Sequence, residues 1–365
     1  MKVTVFPWLD IANYGSVLQV FAVQKVLEKY AGEVEILNLK FNSRFSETFS
    51  RNPAKFANNI LTYAFTKRNF RKVKAQINLT GKAFITEKDF NGYTADADIY
   101  CTGSDQIWNM KNGASIFGPR FLSFLPKDKR RFAFSSSFGD RMDKDLAALS
   151  AKWIHQFEYI SVREDAGLRI INEQYDYHNA IQLVDPTLAL PPEFWREYAP
   201  KPKITGAYIL VYDIMNNKAF YEYAQALSKK TGLPLVHFCN KFARVFLKGK
   251  SVLLPPIFNF ITLIDNAKYV LTGSFHATAF SMNLNTEPIC AYTSMNPGRL
   301  ASFLRLVDAE HRALTDFNDF DVIDRHVDFS HVNSVLAYER ERVNDFLGGI
   351  FNSAPCEGGG QEPCV

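Results

Sequence analysis

The chain has no uninterrupted apolar run of the length a bilayer requires, which argues against a transmembrane helix. Near the N-terminus, Pro7 and Asp10 break the apolar run VTVF too early for the core of a signal peptide, so a cytoplasmic location is expected. Cysteine is scarce. Five residues, an odd total with no C-x-x-C spacing, fit reduced thiols better than a disulfide framework or a zinc site. The glycine fingerprint G-x-G-x-x-G is missing after the first strand-like stretch, which disfavours a nicotinamide enzyme. The run DFNDFD (316–321) lacks the Gly turn and distal Glu of a calcium loop and reads as solvated, so no metal is expected.

The balance of 47% hydrophobic and 22% charged residues over 365 positions is that of a globular protein with room for two cores. Net charge is +4, yet residues 41–95 carry ten Lys and Arg against three Asp and Glu, a local +7 that leaves the remainder slightly acidic. Two readings of this insertion are open. One is peripheral contact with an anionic lipid carrier or the inner face of a membrane; the other is a solvated helical face. Nucleic acid is not expected as a partner.

Strand-like and helix-like stretches alternate from the start. Residues 2–6 read as a buried strand, 16–30 as a helix and 33–39 as a strand, a βαβ unit and hence a parallel sheet. Residues 41–93 interrupt the alternation and read as helical. It resumes with strands at 98–102, 131–135 and 159–162, and Pro191, Pro192, Pro200 and Pro202 then mark a connection. Strands at 207–213, 233–238, 269–272 and 287–292 repeat the pattern before a terminal amphipathic helix at 332–347. The expected architecture is α/β: two doubly wound Rossmann-like domains facing a cleft. They span 1–190, with a basic helical insertion at 41–95, and 204–347; a flexible Gly- and Pro-rich tail is expected at 348–365.

Open parallel sheets bind ligands beyond the carboxyl ends of their strands. Asn13 and Gly15 lie there, with a simple helix N-cap as the plainer reading of that turn. The loop GSDQIWN (103–109) sets Asp105, Gln106 and Asn109 beside Trp108, either as a small-molecule cradle or as a loop anchored by the indole. Ser137 lies in a small-residue turn. Arg163 emerges where a strand ends; it either grips phosphate or carboxylate with its fork of donors or pairs with Glu164 or Asp165. In YVLTGSFHATAFS (269–281) a strand turns at Ser274 into a helix whose first turn carries His276. Unpaired N–H groups at such a turn attract anions, so His276 either flanks a bound anion or only caps and packs.

Seven blocks, in order, resemble the polysaccharide pyruvyl transferase family: NYGSVLQ (13–19), GSDQIWN (103–109), SSSFG (135–139), SVRED (161–165), DPTLAL (185–190), TGSFHATAFS (272–281) and PGRLASFL (297–304). The resemblance implies a fold like two-domain GT-B glycosyltransferases. It also implies transfer of pyruvate from phosphoenolpyruvate, as a ketal, to a sugar of a surface or capsular polysaccharide precursor, with a lipid-linked acceptor expected. No cofactor is implied beyond phosphoenolpyruvate as donor substrate. His276 falls on the family's donor-site or catalytic His, Asp105 on a loop acid facing the cleft, and Arg163 on a donor-binding Arg. Around the donor we expect Arg163, Ser274, Arg299, Ser137, Asn13 and Gly15; around the acceptor, Gln106, Trp108 and Asn109. Some relatives carry an Arg where this chain has Ser274, and Arg299, with Arg312 behind it, is the expected substitute. Phosphoenolpyruvate holds phosphate and carboxylate close together, so its site needs cations and preorganised N–H donors. An imidazole suits protonation of the methylene carbon, and a carboxylate such as Asp105 suits a base for the sugar hydroxyl. Two other readings stay open here: a nucleotide-sugar glycosyltransferase on the same fold, and a non-catalytic carbohydrate-binding protein.

Overall fold

The computed structural model describes every residue except 10–11, 41–51, 94–95, 110–115, 214–216, 243–246, 293–296 and 354–365. Its first sheet contains β1 (Lys2–Phe6), β2 (Glu33–Leu39), β3 (Leu79–Phe84), β4 (Ile99–Thr102), β5 (Arg130–Ser136), β6 (Tyr159–Val162) and β7 (Ile181–Gln182). They run in the order β3-β2-β1-β4-β5-β6-β7, with every pairing parallel. A second parallel sheet contains β8 (Ile209–Tyr212), β9 (Leu235–Cys239), β10 (Lys250–Leu253), β11 (Tyr269–Thr272), β12 (Glu287–Ala291) and β13 (Ala313–Leu314), in the order β10-β9-β8-β11-β12-β13. Strands such as VTVF and YVLT are rich in β-branched and aromatic residues and buried on both faces, as helix-covered parallel strands require.

The helices are α1 (Tyr14–Leu27), α2 (Pro53–Lys74), α3 (Lys144–Ile154), α4 (Asp165–Tyr175), α5 (Pro192–Tyr198), α6 (Lys218–Thr231), α7 (Asn259–Asp265), α8 (Phe275–Asn283), α9 (Pro297–Leu306) and α10 (Phe329–Asn352). Every residue of α1 but Lys25 is buried, and all of α8 is buried. Helices apolar all round must lie between layers, and these two meet where the sheets face each other. One contiguous apolar core accordingly includes Val3, Phe21 and Phe132 from one half and Val236, Phe260 and Phe280 from the other.

In each sheet the strand order reverses direction beside its first strand, between β1 and β4 and between β8 and β11. Such switch points open a crevice at the carboxyl ends of the strands. The loops leaving β1 and β4 carry Asn13 and Asp105, and the turn leaving β11 carries Ser274, so the two crevices share one seam.

Three expectations change. The 41–95 insertion is not wholly helical: α2 is followed by β3, the edge strand of the first sheet, while 41–51 lie outside the described residues. The terminal helix does not stop at 347 but runs through Gly348 and Gly349 to Asn352. Leu347 and Ile350 are completely buried, and Arg130 donates to the Ile350 carbonyl at 3.1 Å, which outweighs the low helix propensity of two glycines. Residues 354–365 of the expected tail lie outside the described residues. The Pro-rich connection is also packed, because Trp195 of α5 is completely buried and donates from Nε1 to Thr187 O at 3.0 Å.

The helix α10 ties the second half to the first. Arg342 donates to Gln182 O at 2.9 Å, Arg340 to Leu188 O at 3.0 Å, and Tyr30 Oη to Asn344 Oδ1 at 2.9 Å. Cys101, Cys239 and Cys290 are buried. Among the described residues no helix is long and apolar enough to cross a membrane.

Candidate active site

Gly15 of the first half and His276 of the second lie against each other. Asn13 caps α1, its Oδ1 accepting from Gly15 N and Ser16 N at 3.1 and 3.4 Å. Ser274 caps α8 by accepting from Ala277 N at 3.4 Å. These caps aim the starts of the two helices at each other. A Cβ placed on Gly15 would lie 2.3 Å from His276 Nδ1 and 2.7 Å from His276 Cβ. Only glycine therefore admits the imidazole at this distance. Neither residue type nor spacing could have signalled this contact, because it joins residues 261 positions apart in the chain.

Behind the imidazole lies a buried ionic cluster. His276 Nε2 sits 3.6 Å from Asp185 Oδ2, longer than a formed hydrogen bond, and this nitrogen has no hydrogen-bond partner. Thr187 fixes Asp185 through two bonds to Oδ1, from its N–H at 2.9 Å and its hydroxyl at 2.7 Å. The Oδ2 of Asp185 accepts from Arg163 Nη1 at 2.8 Å. Burial by itself would raise the Asp185 carboxyl, but His276 and Arg163 overcome it and hold the group well below the usual carboxylate range. Sequence reasoning passed over Asp185, whose only signal was its place in the DPT block, and weighed Glu164 only as an ion-pair partner of Arg163.

Arg163 is surrounded by protein carboxylates. Besides Asp185, its guanidinium contacts Asp105 Oδ1 at 3.3 Å and Glu164 Oε2 at 3.5 Å, and it lies 4.5 Å from the centre of the Phe275 ring. Burial lowers its pKa, but Asp105, Asp185 and Glu164 together raise it above the ordinary arginine value. Burial pushes Glu164 up, with Arg163 and Ser137 opposing. Ser137 is spent on that carboxylate, donating to Oε1 at 2.5 Å and accepting from Gly139 N at 3.0 Å. Expected as donor ligands, Arg163 and Ser137 are engaged by protein carboxylates here.

Arg299 is the other cation of the cluster. It sits 3.8 Å from Asp105 Oδ1. In the amide orientation its neighbours favour, Gln106 accepts from both of its terminal nitrogens, at 3.0 and 2.7 Å. Its Nε is buried without a hydrogen-bond partner. Burial, then Arg163, lowers its pKa from the ordinary value. Arg299 thus keeps one buried donor without a partner. Arg312, expected behind it, is elsewhere: fully buried, bonded to the carbonyls of Pro288, Val322 and Arg325.

The 103–109 loop divides between core and site. Asp105 has a left-handed backbone, φ 62°, a conformation Asp tolerates. Its carbonyl accepts from Ser137 N and Ile107 N at 3.0 and 2.8 Å. This turn directs the carboxylate at Arg163 and Arg299. Trp108 turns the other way, and here the expectation of acceptor contact is corrected. The indole is completely buried, stacked on Phe121 at 5.6 Å, with Nε1 donating to Arg120 O at 3.2 Å. It anchors the loop and is out of reach of a sugar. Asn109 is buried against Gln106, at 2.5 Å between their amides, and Gly139 passes so close that a Cβ there would meet Asn109 Nδ2 at 2.7 Å. A further residue escaped sequence reasoning. Gln19 is completely buried, with both amide atoms unpaired, and it lies one turn beyond Gly15, on the face of α1 that meets α8. A lone Gln in the otherwise apolar QVFAV stretch was the available signal.

The arrangement holds an unpaired imidazole nitrogen and an unpaired guanidinium nitrogen in a buried seam between two domains. Among the described residues no group of three His, Cys, Asp or Glu could hold a metal ion.

The chain is similar in structure to UDP-N-acetylglucosamine 2-epimerase from Rickettsia bellii, at 11% identity over 96% of this chain and 97% of that one, with TM-score 0.55. It is likewise similar to UDP-GlcNAc 2-epimerase from Neisseria meningitidis bound to UDP-GlcNAc, at 9% identity over 96% and 100% of the two chains, TM-score 0.53. For the Methanocaldococcus jannaschii UDP-GlcNAc 2-epimerase in complex with UDP-GlcNAc and UDP, the figures are 11%, 96%, 100% and 0.51. At these identities the likeness concerns the fold, which is the two-domain GT-B-like arrangement. No curated protein sequence matches. The family model for polysaccharide pyruvyl transferase covers residues 13–294, including Gly15, Asp105, Arg163, Asp185 and His276, and the chain belongs to the polysaccharide pyruvyl transferase family.

Proposed function

We propose that this seam transfers pyruvate from phosphoenolpyruvate to two hydroxyls of a saccharide, forming a cyclic ketal and releasing phosphate. The observation that carries the reading is the pair of unpaired donors, His276 Nε2 and Arg299 Nε. A buried polar atom without a partner is costly, and an anionic substrate with a basic carbon supplies partners for both. Arg299 and the first-turn N–H groups of α8 hold the donor's phosphate and carboxylate. His276, charged and steadied by Asp185, gives its proton to the methylene carbon. Positive charge develops at the adjacent carbon and a sugar hydroxyl adds there; the C–O bond to phosphate then breaks, and the second hydroxyl adds in its place and closes the ring, its proton passing to the departing phosphate. Asp105 takes the hydroxyl proton: both of its guanidinium contacts fall on Oδ1, which leaves Oδ2 for the acceptor. Arg163 positions Asp105 and Asp185, one on each side of the donor.

A surface or capsular precursor is the acceptor class that fits the family. The solved relatives named above include proteins bound to UDP-GlcNAc, so a nucleotide sugar is the competing ligand. The test is melting temperature with each ligand, followed by phosphate release and product mass with phosphoenolpyruvate and a panel of synthetic and lipid-linked glycans. Binding selectively to the folded protein raises its stability by about 2.7 kcal/mol at a ligand concentration of a hundred times Kd. A shift with phosphoenolpyruvate and pyruvylated product is expected. A shift with UDP-GlcNAc alone, and no phosphate release, would replace this reading with the nucleotide-sugar one.

A further inference from the structure

The helix α2 has two dissimilar faces. Its inner face is keyed to the second domain. Thr66, Asn69, Phe70 and Val73 are buried, and Asn69 Nδ2 donates to Leu254 O and Pro255 O at 2.6 and 3.0 Å. The same Pro255 carbonyl accepts from Tyr14 Oη at 2.5 Å, and Tyr14 precedes the Gly15 that abuts His276. The inner face therefore fixes α2 to the same second-domain segment that holds Tyr14, next to Gly15.

The outer face offers what a soluble surface normally avoids. Seven large hydrophobic side chains are exposed among the described residues: Met1, Ile60, Leu61, Phe65, Ile85, Leu149 and Tyr338. Three of the seven sit within two turns of this one helix, with Ile60 44%, Leu61 47% and Phe65 38% exposed; the other four are scattered. Phe65 also reaches Phe242 of the second domain at 5.4 Å, so the apolar patch straddles both halves. Immediately C-terminal, Lys67, Arg68, Arg71, Lys72 and Lys74 are all exposed. None of the five has an acidic partner among the described ion pairs; Arg68 lies over the Phe65 ring at 5.2 Å.

We infer that the outer face of α2 is a docking surface for an anionic lipid bilayer. Apolar side chains beside a basic cluster on one helix match the interfacial region of a membrane, where the rings enter the acyl boundary and the cations meet the headgroups. A soluble acidic protein would use the cations but give Ile60 and Leu61 no acyl boundary to enter. Docking here sets the seam against the bilayer, where a lipid-carried acceptor would present its sugar. That last clause rests on the proposed function; the docking itself does not.

The test is sedimentation of the full chain with phosphatidylcholine vesicles, with or without about one-third phosphatidylglycerol. Each neutralised cation near a charged surface lowers binding on the order of fivefold. Retention by the anionic vesicles alone is expected, falling as salt rises. Replacing Lys67, Arg68, Arg71, Lys72 and Lys74 by Gln should lower the partition coefficient by at least about 10²-fold. The pair Ile60→Gln and Leu61→Gln, both exposed helix positions, should weaken it at a salt concentration where charge is already screened, with melting temperature little changed. No retention at low salt, or equal retention of the five-Gln variant, would overturn the inference. So would binding that the apolar pair leaves untouched, since that is the behaviour of a polyanion site. Phosphoenolpyruvate turnover on a soluble glycan should be unaffected in all these variants, so failure of docking and failure of the proposed chemistry are read separately.

Discussion

Replacing Gly15 by Ala adds one methyl group and sets two effects against each other. Gly15 lies in the first turn of α1, and Ala there favours the helix by at most about 1 kcal/mol. Against this, the new Cβ falls 2.3 Å from Nδ1, 2.4 Å from Cγ and 2.7 Å from Cβ of His276. Rotation about the Cα–Cβ bond of His276 clears the ring atoms but leaves its Cβ in place. The start of α8 must therefore retreat until that contact opens from 2.7 to about 3.4 Å. Overpacking of this kind costs about 1–3 kcal/mol, so the net change is destabilising. The effect on chemistry is larger, because displacement of a reacting group by about 1 Å lowers rate roughly 10²-fold. The assays are thermal unfolding and phosphate release from phosphoenolpyruvate with an acceptor. A double-mutant cycle with His276→Gly isolates the contact. The two substitutions together should be more stable than their separate effects predict, by about 1 kcal/mol or more. Wild-type melting temperature and turnover for Gly15→Ala would refute the reasoning, because the two halves would then not meet through this glycine and this imidazole.

Arg163→Met leaves three buried carboxylates without their shared cation and should cost at least about 3–5 kcal/mol, read by urea unfolding. Arg163→Lys should cost less; unchanged stability with only a raised KM for phosphoenolpyruvate would return Arg163 to the role of donor clamp. Asp185 is held below the usual carboxylate range in the folded state, so its contribution to stability is present above the unfolded pKa of about 3.9 and is lost as pH falls below it. Asp185→Asn should be less stable at neutral pH, flatten that acid limb, and lower turnover by at least about tenfold at unchanged donor KM; an unchanged limb would remove Asp185 from the linkage. His276→Gln should keep donor binding and lose about 10²–10⁴ in kcat if His276 is the acid; restored turnover would make it a phosphate ligand. Gln19→Leu removes two buried unpaired groups and should leave stability equal or raised; a simultaneous loss of turnover would place the Gln19 amide in the site.

Much of the site was legible because it follows strand ends. Arg163 stands directly after a strand read from an apolar run, Ser274 and Asp105 within three residues of one, and Asn13 in the loop that follows the first strand, and ligands of parallel sheets gather there. What those residues touch was not legible. For Arg163 an anion clamp and a pair with Glu164 or Asp165 are both open in the sequence, and nothing local shows that Asp105 and Asp185 converge on it as well. For Trp108 a small-molecule cradle and a loop anchor are both open, and the choice waits on Phe121 and the Arg120 carbonyl being brought beside the indole. The strand LTGKAF was missed because Gly81 and Lys82 break its alternation, and an edge position tolerates both.

By itself the sequence determined the local alternation of strands and helices, the parallel sense of the sheets that alternation requires, and the seven blocks that carry the family. Those are properties of neighbouring residues: periodicity, turn chemistry and caps act within a few positions of one another. Only the tertiary structure decided that Gly15 and His276 touch, that Arg163 is shared by three carboxylates, and that the helix from Phe329 continues through two glycines. Each depends on burial, and burial changes the sign of local preferences. A charge that would seek water is held by partners remote in the chain, and a glycine that would end a helix is carried along by the apolar residues packed on either side of it.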